Sequence, residues 1–567
     1  MKAVPPFSRG NDGAGGFGFA SGGASAMLLP LMTHLLKNPL ARSAARACFA
    51  AAFSLSLFSA SLSAAAVEQS GISLKSGVWP VMVRMDYNPI LQIKADVGTS
   101  SKPVCLEALK IDFAKTTHVG DIEGVDVFVG GNDVQPGKKF GSARPTKANE
   151  IVTVKSRKKF ALEQGKTNEI WISVRLKDKA DIGGEIGAVA SQMVIDGKAY
   201  VVNAVPAKQR IGYAVAKAGD FGSKNYRIPA LARNPKTGTL IATFDIRYNH
   251  SGDLPANIDV GVSRSEDGGR TWSPVESVLS SKKMEVKNGV GDPGILVNDK
   301  TGEIWISALW APQSGHPIWK SAAGTDDPKR CGQMLLISSK DDGKSWSKRP
   351  LNITPGIKRL DDADTADWGC VFQGPGAGIC TKDGTLIFPA QIWGPMGKGA
   401  WGVLVYSKDG GKTWTSSKKM PWGGSESTCV QLRDGSVMLN VRQGSAAARV
   451  VAVTDDLGET WEKFDGGALR QPGNLCQAAL LTADGKNLYF SNPNSGRRDN
   501  MTLKYSKDGG KTWTKGLLYD ERGCAGYSSI AFADDEDKTI GVLYEGTPNS
   551  QTLFFLSIPA SDVRKAK

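Results

Sequence analysis

Histidine is scarce in this chain. Its 567 residues include four, at positions 34, 118, 250 and 316, and no His-Glu-x-x-His run. That argues against helix-borne zinc chemistry and leaves little material for a Ser-His-Asp triad. Cysteine is sparse too. Beyond Cys48 there are seven, at 105, 331, 370, 380, 429, 476 and 524, an odd number with no Cys-x-x-Cys pair. Neither a zinc site nor a dense disulfide framework is indicated, and buried thiols are the expectation. Apolar runs are short. The longest, Ala47–Leu62, is brief and serine-rich for a membrane span, and no second run follows. No basic run is interleaved with aromatics, so nucleic acid is not an expected partner.

What the N-terminus does contain resembles an export signal. Arg42 and Arg46 precede Ala47–Leu62, which ends in Ser63-Ala-Ala-Ala66. Small residues there suit a cleavage site. The Gly-, Ala- and Ser-rich stretch before it reads as disordered, with Met27 and Met32 as alternative starts. Residues 1–66 are therefore assigned to targeting, and the mature protein is expected to be exported, without a membrane span, to the periplasm, the cell surface or the medium. The formal net charge is +14. Residues 1–66 contribute Lys2, Arg9, Lys37, Arg42 and Arg46 against Asp12, so most of the excess lies in the mature part. For an exported protein, that balance favours an anionic small substrate or an acidic glycan.

Five near-copies of one pattern dominate the second half. They are Ser265-Glu-Asp-Gly-Gly-Arg-Thr-Trp272, Ser339-Lys-Asp-Asp-Gly-Lys-Ser-Trp346, Ser407-Lys-Asp-Gly-Gly-Lys-Thr-Trp414, Thr454-Asp-Asp-Leu-Gly-Glu-Thr-Trp461 and Ser506-Lys-Asp-Gly-Gly-Lys-Thr-Trp513. The common core is Ser/Thr-x-Asp-x-Gly-x-x-Trp. A motif returning after 74, 68, 47 and 52 residues marks a repeat architecture with loop insertions. The mean of roughly 60 residues fits a four-stranded antiparallel blade, hence a β-propeller. The Ser/Thr and Asp oxygens suit a tight turn, the Gly supplies a positive φ, and the Trp packs back between strands. A Ca²⁺ loop would need more carboxylates and a terminal Glu. The boxes therefore read as scaffold.

Residues 67–205 carry no box. Alternating stretches such as Val81–Met85, Leu109–Phe113, Val125–Val129 and Ile170–Val174 are separated by clusters such as Gly130-Gly-Asn-Asp-Val-Gln-Pro136. That pattern predicts a β-sandwich. Such a domain binds carbohydrate or covers an edge of its neighbour, and the lack of a clear aromatic platform favours the structural role. Residues 206–567 are expected to form a six-bladed propeller, five blades with a box and one without. The fold class is all-β.

Tyr226-Arg-Ile-Pro-Ala-Leu231 opens the propeller with the Arg-Ile-Pro motif of the exo-α-sialidases, or neuraminidases. With the five boxes, the chain resembles that family over the whole propeller, and the N-terminal sandwich is similar to the extra domain of some bacterial members. The resemblance implies a substrate with a carboxylate on its anomeric carbon, which planar guanidinium groups grip bidentately. It assigns that grip to Arg227, Arg442 (in Leu439-Asn-Val-Arg-Gln443) and Arg498, with Arg497 as the adjacent alternative. Glu545 is implied as the buttress of Arg227. A carboxylate nucleophile would be repelled by the substrate's own carboxylate, and a neutral phenol avoids this. The resemblance gives that role to Tyr527 (Gly526-Tyr-Ser-Ser-Ile530), with Glu426 as its base. Asp253 is implied as general acid/base, with Asp245 and Asp259 as alternatives and His250 nearby. Arg247 and Asp292 resemble residues that contact the sugar ring substituents, and Trp310 or Trp319 the wall of an N-acetyl pocket. Gln373-Gly-Pro-Gly-Ala-Gly378 resembles a loop that shapes the site.

The function expected is a retaining exo-α-sialidase that releases terminal sialic acid from mucin-type glycoproteins, gangliosides and sialyl-oligosaccharides. No metal and no cofactor are expected. A trans-sialidase or intramolecular trans-sialidase would share the site, and a non-catalytic sialic-acid-binding propeller would keep only the arginines.

Overall fold

The computed structural model describes residues 71–146, 150–202, 207–280, 288–443, 448–465, 476–547 and 551–566. The targeting segment, with Cys48, Met27 and Met32, lies outside them. The regular secondary structure of the described residues is almost entirely β. Among the described residues, no helix is long and apolar enough to cross a membrane, and no group of three or more His, Cys, Asp or Glu gathers as metal ligands. The seven cysteines beyond Cys48 are free thiols.

The N-terminal strands form two antiparallel sheets. One has the order Ile72–Lys75, Pro89–Val97, Lys166–Leu176, Ile122–Gly131, Pro136–Ala143. The other runs Ile151–Ala161, Cys105–Asp112, Glu185–Ile195, Ala207–Lys217. Apolar side chains from both, including Ile93, Leu109, Val127, Val154, Ile172 and Met193, bury one another in a shared core. The strand expected over 81–85 stops at Val83. Arg84 turns at φ 70° and sends its guanidinium to the Ala214 carbonyl (2.7 Å) and the Asp220 carboxylate (2.9 and 2.8 Å).

Among the described residues the remaining strands build five further sheets, antiparallel except where Gly376–Ala377 pairs with Val290–Val297, and a sixth group that continues the second sandwich sheet. Their first strands are Asn225–Arg233, Val290–Val297, Cys370–Gln373 with Ile379–Cys380, Ser427–Gln431, Ala479–Thr482 and Ser528–Phe532. Each touches the next, and the first meets the last. Five sheets take their strands in chain order. The sixth takes Ser528–Phe532, Thr539–Glu545 and Thr552–Pro559, then borrows Ala207–Lys217 as its fourth strand. Gly212–Lys217 of that strand pairs with Thr552–Leu556, while Ala207–Arg210 pairs with Glu185–Ala188 of the sandwich. One strand thus belongs to both parts of the molecule, and the division at 205/206 falls just before it.

Each box lies at the turn between third and fourth strands. In the first, the Ser265 hydroxyl donates to Asp267 (2.8 Å) and accepts the Gly269 N–H (2.8 Å), while Asp267 accepts the Thr271 N–H (2.9 Å) and hydroxyl (2.6 Å). The pattern repeats around Asp409 and Asp508. The sixth sheet has no box because its fourth strand comes from the other end of the chain, which leaves no such turn. Antiparallel order puts every box at the end of the ring away from the starts of the first strands. Those starts are where the chemistry gathers.

Candidate active site

Six side chains from four sheets meet around Tyr527. Arg227 comes from the first sheet, where Pro229 cannot donate to the ladder and the register slips between Arg227 and Ala230. Ile228 sits at φ 59° in this bulge, and its N–H is held by the Glu545 carboxylate at 3.0 Å. The Arg-Ile-Pro motif is therefore a built kink. The second sheet repeats the device at Gly291-Asp292-Pro293, with Asp292 at φ 52° and a register slip between Gly291 and Gly294.

Glu545 is fully buried and accepts four hydrogen bonds. They come from Arg227 Nε (2.9 Å) and Nη2 (3.4 Å) and from the N–H groups of Ile228 and Tyr527 (3.0 Å each). Arg227 thus has its expected mate. Burial alone would lower the pKa of its guanidinium, but Glu545 and then Tyr527 and Asp253 raise it further, so it is a permanent cation.

The Tyr527 hydroxyl donates to Glu426 Oε1 and accepts from Arg442 Nη1 at 3.1 Å. Arg442 Nη1 also donates to Glu426 Oε2 at 2.6 Å, so the glutamate is pinned between phenol and guanidinium. Burial, then the Glu426 carboxylate, push the Tyr527 phenol well above its usual range, while Arg442 and Arg227 pull it down. The phenol is neutral and needs a base to react, and Glu426 is in contact with it.

The guanidinium carbons of Arg227 and Arg498 lie 5.3 and 5.7 Å from the Tyr527 ring centroid. Arg498 also donates to the Ala525 carbonyl at 2.9 Å. Arg497 points away, with its side chain 87% exposed and paired with Asp499. Of the two adjacent arginines, Arg498 is the one that joins the cluster. Gly526 allows the approach at φ 93°, since an added Cβ would sit 3.0 Å from Cys476 Sγ and 3.3 Å from Arg498 Cδ.

Across the cluster, Asp253 occupies the loop after Leu240–Arg247. Its side chain is 66% exposed, and its carboxylate accepts from Arg247 Nη1 (2.9 Å) and lies 3.7 Å from Arg227 Nη1. The two alternatives sit elsewhere. Asp245 is fully buried and doubly bonded to Arg247 (3.0 and 2.8 Å), and Asp259 is buried against the Tyr248 and Ser277 hydroxyls. Burial raises the Asp245 pKa, and Arg247 opposes the rise. Asp292 gives its backbone N–H to Asp245 at 2.8 Å, and burial plus the Asp245 charge raise its own pKa well above the usual range. His250 accepts the Gly252 N–H within the loop. Trp310 is half-buried, and Trp319 is 42% exposed. Gly376–Ala377, in the Gln373–Gly378 stretch, pairs with Gly294–Ile295 beside Asp292.

Sequence reasoning missed Arg449. It is buried, bonded to the Asn440 amide oxygen, the Asn440 carbonyl (3.2 Å) and the Cys476 carbonyl (3.0 Å), and it reaches the Glu426 carbonyl at 3.5 Å. Burial pushes its pKa down to about 10. No local pattern around residue 449 distinguishes it from a surface arginine.

Known proteins resemble both parts of the chain. The family model described as "BNR repeat-like domain" matches residues 238–542, and "N-terminal domain of BNR-repeat neuraminidase" matches 69–199. A sialidase of Bacteroides fragilis is 32% identical over 532 residues, which cover 86% of this chain and 94% of that protein. A sialidase of Clostridium perfringens is 28% identical over 352 residues, or 58% of this chain and 88% of that one. Among solved structures, the Hadza microbial sialidase Hz136 superposes with a TM-score of 0.76 at 31% identity, covering 86% of this chain and 99% of its own.

Proposed function

We propose that this chain, which belongs to the BNR-repeat neuraminidase family of glycoside hydrolases, acts as a retaining exo-α-sialidase on terminal α-linked sialic acid. Arg227, Arg442 and Arg498 would receive the substrate carboxylate, with charge-assisted bonds that also orient the anomeric carbon toward Tyr527. The Tyr527 oxygen forms a bond to that carbon as its proton passes to Glu426. The glycosidic C–O bond breaks, and Asp253 delivers a proton to the leaving oxygen. Asp253 then takes a proton from water, which attacks the anomeric carbon and releases Tyr527, restored by the proton held on Glu426. Two inversions leave the α-anomer. Arg247 and Asp292 would face the ring substituents, with sialylated glycoproteins, gangliosides and oligosaccharides as the substrate class. Export is part of this reading, and it is carried by the pattern of residues 42–66 alone.

The observation that carries the proposal is the Tyr527–Glu426–Arg442 triangle, a neutral phenol in contact with a carboxylate inside a ring of guanidinium groups. Proton NMR of the sugar released from an α-sialoside tests it. Wild-type protein should first release the α-anomer, and Tyr527→Phe should lose about a thousandfold in kcat. First release of the β-anomer overturns retention. A Tyr527→Phe variant at the wild-type rate removes the nucleophile. Sialoside bound but never cleaved by the wild-type protein leaves a binding propeller, and sugar appearing only on an acceptor glycan leaves a transferase.

A further inference from the structure

We propose that the N-terminal sandwich is a working part of the active site, because it holds the segment that presents the nucleophile, with Glu521 as the positioning residue. The inference rests on Tyr527 being that nucleophile.

Residues 521–527 run from the end of the fifth sheet, Leu517–Asp520, to Tyr527 at the start of the sixth. The sandwich side grips the first two. The Glu521 N–H donates to the Val78 carbonyl at 3.0 Å, and its carboxylate accepts the Val78 N–H (3.2 Å) and Trp79 Nε1–H (3.0 Å). Arg522 is buried, doubly bonded to Asp520 (2.9 and 2.8 Å), and its Nη2 reaches the Pro80 carbonyl at 3.3 Å. Residues 77–80 are themselves fixed from within the sandwich. Gln209, buried on the shared strand Ala207–Lys217, accepts the Trp79 N–H and donates to the Gly77 carbonyl, both at 2.8 Å. The Trp79 ring packs on Trp171, with centroids 5.4 Å apart. Space is tight, since a Cβ on Gly77 would come within 2.3 Å of Glu521 Oε1.

The far end of the same segment is bonded to the catalytic cluster. The Cys524 N–H donates to the Arg498 carbonyl at 2.9 Å, Arg498 Nη1 donates to the Ala525 carbonyl at 2.9 Å, and the Tyr527 N–H donates to Glu545 at 3.0 Å. A shift of residues 521–522 is therefore carried along five residues to both Tyr527 and Arg498. Reaction rates respond steeply to such shifts, because a misplacement of about 1 Å can cost on the order of a hundredfold. Glu521 touches no reacting atom; it acts on kcat through the placement of Tyr527 and more weakly on KM through Arg498, so the larger effect is expected in kcat.

The test compares wild type, Tyr527→Phe, Glu521→Ala and Trp79→Phe in the full chain on an aryl α-sialoside. Active sites are counted by covalent labelling with 2,3-difluorosialic acid, and thermal unfolding is recorded in parallel. Glu521→Ala should lower kcat per labelled site about tenfold with KM within about twofold. Trp79→Phe keeps an aromatic ring against Trp171 but removes the Nε1–H together with one ring of the indole, so it should lower kcat in the same direction by about two- to threefold. Wild-type kcat per labelled site in both variants overturns the proposal, whatever happens to the melting temperature, and so does a loss confined to KM. If Glu521→Ala does not fold, Trp79→Phe decides alone. A wild-type protein inert on the sialoside, or a Tyr527→Phe variant at full rate, would instead sink the functional reading on which the proposal rests.

Discussion

Glu545 has no contact with solvent, and its four donors leave neither carboxylate oxygen unpaired. It joins three things that must agree: the direction of Arg227, the strained backbone at Ile228 and the start of the Tyr527 strand. Glu545→Leu should therefore act on both stability and binding. Losing one partner of a buried, hydrogen-bonded pair costs about 3–5 kcal/mol, because the remaining charge is left uncompensated. Urea unfolding should show that loss, and the folded fraction should show a raised KM for sialosides as Arg227 swings free. Stability and KM both unchanged would mean that Arg227 finds another anchor. Residue type carried much of this site in advance. Guanidinium, phenol and carboxylate are the chemistry that the proposed substrate, a keto-acid glycoside, would call for, and each had a short motif around it. Arg449 had none. Asp245, Asp253 and Asp259 share one stretch of chain, and only their surroundings separate them. Asp245 and Arg247 are two apart on one strand and so share a face, which ties them to each other and leaves Asp253 for the loop.

At the level of the element, the boxes do more than turn the chain. The first and third also dock on the preceding sheet. Trp272 of the first sheet packs on Phe555 of the sixth, and Trp414 of the third packs on Trp305 of the second, with centroids 5.2 and 5.9 Å apart. The box glycine makes that contact possible. A Cβ on Gly411 would lie 2.3 Å from Trp305, and Gly411 sits at φ 92°. Gly435 has a similar φ of 99° with nothing within 4 Å of an added Cβ, so it separates strain from collision. Gly435→Ala should cost about 1–2 kcal/mol for its backbone alone. Gly411→Ala should cost a further 1–3 kcal/mol, roughly, for the clash. Denaturant midpoints of the two variants check this, and equal losses would mean the sheets slide apart freely at that contact. The residue before the box glycine also takes a positive φ, even where it is Asp342 or Leu457. Asp342 offsets that strain by binding Thr237, Thr239 and Asn234 of the first sheet. The motif was legible because a turn is a local problem; which sheet each turn grips was not.

The whole molecule is closed by one strand. Ala207–Lys217 completes the sixth sheet, which carries Tyr527 and Glu545, and its first residues continue the sandwich. A chain starting at Ala218 would leave the edge of Thr552–Pro559 unpaired and uncover Leu556 and Phe555. Exposed edges of that kind recruit other chains. Such a chain should aggregate, or melt without a cooperative transition, and adding residues 71–217 as a separate fragment should restore soluble material. Size-exclusion chromatography and circular dichroism would show this. A monomeric, cooperatively melting truncation would mean the ring closes without the borrowed strand.

By itself the sequence determined the all-β class, the repeated boxes and the inventory of groups proposed to react. Those properties depend on residue type and on spacings of a few residues, where turn geometry and charge logic act directly. The tertiary structure alone decided that Arg498 rather than Arg497 turns inward, that Asp253 is the exposed aspartate of the three, and that the sandwich reaches the segment before Tyr527 through Glu521. These outcomes depend on contacts that range from Arg498 with Ala525, 27 positions apart, to Trp79 with Glu521, 442 apart. A single chain records both partners of such a pair and nothing of their meeting, because burial and pairing are fixed only when the ring closes.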